Sequence, residues 1–177
     1  IYCCFPRMFG PNKTARETTA RDCDEYIQKL DAEGYAVIPP SGTFRDGIAE
    51  LPHIIDTLGC RILHLLPVNS TPTTYARMGR FGSPYACGGL TDIDPALVVF
   101  DKRATGVQQF CELTDAVHAR DGRLFLDLVI NHTGWGSTLQ EEHPEWFLRT
   151  DNGEFASPGA WGNTWGDLVE LEPHHRG

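Results

Sequence analysis

Three short apolar runs, separated by two stretches of helical periodicity, organise this chain. They occupy residues 1–5, closed by Pro6; residues 61–66, closed by Pro67; and residues 124–130. Each is too short for an ordinary helix and predicts a strand buried on both faces, as in a parallel sheet. Between the first two, Ile48, Leu51, Ile54, Ile55 and Leu58 recur three and four apart and predict a helix over residues 47–58, stopped by Gly59. Val107, Phe110, Leu113 and Val117 predict a second over residues 107–119, closed by Asp121-Gly122. A further helix is expected over residues 20–32, from Cys23, Tyr26, Ile27 and Leu30. Strand, helix, strand, helix, strand is the βαβ order, which implies an α/β fold with right-handed crossovers.

The connections are uneven. Those entering the second and third strands are short turns, whereas those leaving the strands span residues 6–46, 67–106 and 131–177. Long loops in a compact domain are usually functional. In a (β/α)₈ barrel the loops after the strands build the active-site face. The pattern alone also admits a doubly wound sheet, although no G-x-G-x-x-G or Walker sequence follows any strand.

Composition narrows the partners. Among 177 residues, 24 acidic against 15 basic side chains give a net charge of −9, the wrong sign for a nucleic-acid surface. No apolar run approaches the roughly 18 residues needed to cross a membrane. Six cysteines (Cys3, Cys4, Cys23, Cys60, Cys87, Cys111) lack paired C-x-x-C spacing. They are expected to be reduced and structural, with Cys3 and Cys60 in or near buried strands, which favours a cytoplasmic setting. The chain opens at Ile1 inside an apolar run, without Met or a signal-like segment, as expected of a piece of a longer protein.

Asp127-Leu128-Val129-Ile130-Asn131-His132 resembles the first signature region, D-x-V-x-N-H, of the alpha-amylase family, glycoside hydrolase family 13. Other matches follow in order. Ile1 to Phe9 resembles the family's first strand, I-Y-x-x-x-P-R-x-F, and Leu58 to Pro67 its second, L-G-x-x-x-x-x-L-x-P. Ser83-Pro84-Tyr85-Ala86, with Pro95 ten residues past Tyr85, is similar to its second loop, and His143-Pro144-Glu145-Trp146-Phe147 to the H-P-x-W-F after its third strand. Within the family, Thr71-Pro72-Thr73-Thr74-Tyr75 and the tryptophan-rich residues 159–165 look most like bacterial glycogen-debranching or amylase-like proteins. One departure stands out: Gly89 and Leu90 replace the Asp-Tyr expected four and five residues after the loop tyrosine.

The resemblance implies a partial TIM (β/α)₈ barrel of three parallel strands with a long third-loop, domain B-like insertion. Residues 1–132 would be barrel and residues 133–177 the truncated third-loop subdomain. It implies an α-glucan-acting glycoside hydrolase or transglycosylase of retaining mechanism, taking an α-glucan or maltooligosaccharide. A retaining glycosidase needs two carboxyl groups about 5–5.5 Å apart. The family carries its catalytic carboxylates on strands four, five and seven, so none is expected here and the chain alone is expected to be inactive. Tyr85 is the expected platform for a sugar ring, against ordinary loop packing. His132 is the expected hydroxyl contact, against a loop histidine satisfied by backbone. Asp127 is expected to support the site by pairing with a strand-four arginine, and Asn131 to support it from the loop. No cofactor is required, but Asn131 and Glu170 are candidate calcium ligands, because that ion wants several oxygens. His174-His175 is read as a solvated pair. Trp135, Trp161 and Trp165 would either stack on glucose rings or fill the core of the third-loop domain. The rival from another class is a non-catalytic carbohydrate-binding or scaffold protein on the same barrel.

Overall fold

The three apolar runs lie side by side in the computed structural model, which describes residues 1–10, 25–35, 40–72 and 80–174. Strands β1 (Tyr2–Cys4), β2 (Ile62–Leu65) and β3 (Arg123–Leu126) form a parallel sheet in the order β1-β2-β3. Leu63 pairs with Tyr2 on one side and Leu124 on the other. The parallel pairing in chain order is as expected, but β3 is shorter than the predicted 124–130. Asp127 N still donates to Leu65 O at 2.9 Å, yet residues 128–130 leave the ladder. Their would-be partner segment runs into Pro67, which has no N–H to continue the pairing.

The helices on this sheet begin at caps that the apolar spacing did not locate. Described residues of the first predicted helix form α1 (Glu25–Ala32); its predicted start at residues 20–24, with Cys23, lies outside the described residues. Helix α2 (Phe44–Leu51) starts earlier than the predicted residue 47, at a capping box. The Thr43 hydroxyl accepts from Asp46 N while Asp46 accepts from Thr43 N. Pro52 cannot donate, and the chain continues as wider turns over Pro52–Thr57, with Leu58 N reaching His53 O at 2.9 Å. Helix α3 (Gly106–His118) has the same device, Thr105 with Gln108. Arg45 of α2 ties to α3 through Glu112 at 2.8 Å and to Asp101 at 3.0 Å.

The core of this unit lies where Phe44, Leu51, Ile54 and Ile55 meet Leu63 and Leu65 of β2 and Leu113 and Val117 of α3. Full burial of such side chains contributes about 1.5–3 kcal/mol each. Against the expectation of strands buried on both faces, β2 is buried on the face of Leu63 and Leu65 and half-buried on the other, and β3 is mostly exposed. Leu126 is 40% exposed and Leu128, beyond the strand, 56%: β3 is the last strand in the sheet order, and of its residues Leu124 is the one packed against the core. Cys3 is exposed, contrary to expectation, because alternation along β1 turns it away from the core that takes Cys4. Burial, together with neighbouring Cys3, pushes the Cys4 thiol up to about 12, so it behaves as a small apolar group.

The chain divides into two compact units, Ile1–Val68 with Ile93–Asp127, and Asn69–Asp92 with Leu128–Gly177. This differs from the expected division at 132/133: the second loop clusters with the third, and residues 128–132 go with them. In the second unit β4 (His132–Gly134) pairs antiparallel with β7 (Leu168–Glu170), with His132 opposite Glu170. Between them come the short helix α4 (Thr138–Glu142) and a hairpin of β5 (Gly159–Ala160) and β6 (Asn163–Thr164). Trp135, Phe147 and Phe155 meet edge to face in this unit. Among the described residues no helix is long and apolar enough to cross a membrane.

Candidate functional site

The second loop reaches β4 through backbone hydrogen bonds. Gly134 N donates to Cys87 O at 2.8 Å and Thr138 N to Gly88 O at 2.9 Å, while Gly88 N donates to Ser70 O at 2.6 Å. Close approach requires glycine at 134, where an added Cβ would lie 2.5 Å from Pro72 Cγ and 2.9 Å from Ala86 O. The Ser83-Pro84-Tyr85 segment turns on itself, with Ala86 N donating to Ser83 O at 3.0 Å. Tyr85 is thereby set beside His132.

The His132 side chain is joined to the Tyr85 backbone by a 3.2 Å hydrogen bond between Nε2 and the Tyr85 carbonyl oxygen. A carbonyl only accepts, so Nε2 carries the proton and, in the neutral ring, Nδ1 is the bare acceptor. Nδ1 is buried and has no hydrogen-bond partner among the described residues. Burial lowers the His132 pKa below the usual 6.5, against the opposing pull of the Tyr85 carbonyl, Asp167 and Glu170. The ring is therefore neutral at pH 7. His132, Tyr85, Asn131, Ser83, Trp165, Asp167 and Leu168 line a cleft of about 420 Å³. That size is in the range of small-ligand sites. Its aromatic wall and its carboxylate suit a ligand with an apolar face and several hydroxyls.

Of the sequence-predicted site residues, Tyr85, His132 and Asn131 come together here. Glu170 stands across the ladder from His132 but is not among the residues lining the cleft. Asp127 belongs to the first unit, half-buried at the end of β3, with its N–H bound to Leu65 O. His132 meets a backbone carbonyl through one nitrogen, which is the plainer of its two expected roles, and its other nitrogen is buried. Of the two candidate calcium ligands, Asn131 lines the cleft and Glu170 pairs with His132 across the ladder; among the described residues no three His, Cys, Asp or Glu side chains converge.

The departure at residue 89 has a local explanation. A Cβ at Gly89 would meet the Asp92 carboxylate at 2.8 Å. Asp92 therefore fills the space next to residue 89, where it accepts hydrogen bonds from Ser70 N and Ser70 Oγ. The tryptophans separate as well. Trp135 donates to Gly166 O at 2.9 Å and packs on Phe155, whereas Trp165 is half exposed on the cleft. Asp167 was missed, since no motif marks it; β7 brings it to the cleft through the pairing of Leu168 with Gly134.

A three-stranded parallel sheet with helices between its strands and a loop-built cleft defines the first part of a (β/α)₈-type protein. No family model and no curated protein matches the chain, but solved structures do. An alpha-amylase from Lactobacillus plantarum is 36% identical over 76% of this chain and 29% of its own, with a TM-score of 0.65. A noncanonic maltogenic alpha-amylase from Thermotoga neapolitana is 26% identical over 73% of this chain and 27% of its own, with a TM-score of 0.59. A debranching enzyme from Nostoc punctiforme shares the fold at 22% identity and a TM-score of 0.56, over 96% of this chain and 34% of its own. The chain is an alpha-amylase-family segment, corresponding to the N-terminal part of the family's fold. It spans about three tenths of the length of these relatives.

Proposed function

We propose that this chain supplies part of the sugar-binding site of an α-glucan-acting glycoside hydrolase or transglycosylase. The observation that carries the reading is the joining of Tyr85 and His132, from two different loops, on one cleft. Tyr85 offers an aromatic ring to the apolar face of a glucose unit. His132, held in the Nε2–H tautomer, keeps the Tyr85 segment at the cleft through its carbonyl, and Asp167 adds an acceptor for a sugar hydroxyl. The nucleophile and acid of a retaining mechanism come from outside the chain in this reading, so residues 1–177 alone release no sugar. Asp127 and Asn131 act as supports, a role taken from the resemblance. A cytoplasmic setting belongs to the same reading and rests on six cysteines without paired spacing.

The test uses the full-length protein and maltoheptaose. His132→Ala should lower turnover at least by the roughly 3–10-fold that one net hydrogen bond is worth. Unchanged turnover would remove His132 from the site. Maltoheptaose bound without release of shorter sugars would favour the non-catalytic scaffold instead.

A further inference from the structure

Trp161 is 96% exposed, whereas most tryptophans bury the greater part of their surface. It sits at the tip of the β5–β6 hairpin, in a two-residue turn with Gly162 between the paired Ala160 and Asn163. Both turn residues have positive φ, 51° at Trp161 and 79° at Gly162, the signature of a type I′ turn. Glycine suits that conformation and asparagine tolerates it, but a bulky side chain disfavours it. The turn therefore holds, against local preference, a large apolar ring in water. Such an outlier motivates a search for function.

The base of the same hairpin leads to the cleft. Trp165 N donates to Pro158 O at 3.0 Å, and Trp165, 46% exposed, lines the cleft beside Tyr85, His132 and Asp167. Three residue steps of about 3.4 Å separate base from tip, so Trp161 stands roughly 10 Å farther along the hairpin. We propose that Trp165 and Trp161 form an aromatic track that extends the cleft and holds additional glucose units of a longer α-glucan by stacking on their apolar faces. This inference rests on the α-glucan reading of the cleft and adds to it a preference for chain length. A glucan fits better than a protein partner because the exposed ring is continuous in sequence and hairpin with a wall that already carries hydroxyl-binding groups.

The test compares maltotriose with maltoheptaose on the full-length protein, by binding titration and by kcat/KM. Trp161→Asn removes the ring while placing a residue favoured in this turn, so the hairpin and the melting temperature should be kept. Loss of one stacking platform should weaken maltoheptaose by roughly 3–10-fold and leave maltotriose within about twofold. Trp161→Phe should recover most of the loss. Maltoheptaose bound by Trp161→Asn as tightly as by the parent overturns the track and leaves the cleft reading standing, as would follow if the ring met a protein partner instead. A parent protein that binds neither sugar overturns both.

Discussion

Gly134→Ala tests whether the two loops must meet as closely as they do. The new Cβ would stand 2.5 Å from Pro72 Cγ and 2.9 Å from Ala86 O, whereas carbon contacts are comfortable near about 3.5–4.0 Å. Neither neighbour is the free end of a side chain: one is a ring closed on the backbone and the other is backbone itself. β4 or the second loop must move by roughly 1 Å, and overpacking of this kind costs about 1–3 kcal/mol. The same movement stretches the 2.8 Å bond from Gly134 N to Cys87 O, with a further cost of about 0.5–1.5 kcal/mol. Replacing glycine in a strand offsets about 0.5–1 kcal/mol of this. The net expectation is a loss of about 1–3 kcal/mol, read from urea unfolding. A second readout reports on the site itself. Because the His132 pKa is lowered first of all by burial, separating the loops should bring it back toward 6.5 in an NMR titration of the imidazole. An unchanged urea midpoint together with an unchanged His132 pKa would refute the reasoning.

Gln109 is fully buried and spans the 99–104 turn: its Oε1 accepts from Val99 N at 3.0 Å and its Nε2 donates to Val99 O at 2.7 Å. Gln109→Leu should strand both Val99 groups and cost about 2–6 kcal/mol in urea unfolding, at about 1–3 kcal/mol per unsatisfied group; no loss would mean that the turn re-forms without it. His132 takes up a proton less readily when folded than when unfolded, so stability should rise with pH from its depressed folded pKa up to about 6.5. His132→Gln should flatten that segment of a stability-versus-pH curve, and parallel curves for parent and variant would contradict the assignment. The carboxyl pKa of Glu112 is lowered by its hydrogen bond to Arg45, and that of Asp101 by Arg103 N and then Arg45. Their contribution is present above the unfolded carboxylate values near 4 and fades as pH falls through the lower folded ones. The gap in urea midpoint between parent and Glu112→Gln should accordingly close in acid, and a gap that stays constant would rule the pair out.

Buried strand β2 was legible because Ile62, Leu63, Leu65 and Leu66 form a run that only a parallel sheet explains, and its partners followed from the order of elements. The ends of elements were less legible, because polar groups decide them. The start of α2 depends on the Thr43–Asp46 exchange and its extension on how the chain accommodates Pro52, neither of which alters apolar periodicity. β3 read as buried because its residues are apolar, but burial requires a second surface, which composition cannot report. In a (β/α)₈ barrel further strands and helices supply that surface, which would account for a strand that exposes Phe125 and Leu126 while keeping a tight register with β2.

The site divides along the same physical line. Tyr85 and His132 were found through short motifs, which mark residues by their neighbours in sequence. Asp167 and Trp165 were harder to place because no local pattern points to a cleft; the ladder that sets Leu168 against Gly134 brings them there. Asp92 makes the point most clearly. Reading position 89 by itself gives a missing carboxylate and a damaged loop. Folding returns a carboxylate to the space beside residue 89 from three positions along the chain, where Ser70 holds it. A substitution in a loop motif therefore cannot be judged as a loss until the groups folded beside it are known, and Asp92→Ala, which removes the carboxylate that Ser70 holds without crowding residue 89, is the variant that tests this part of the loop.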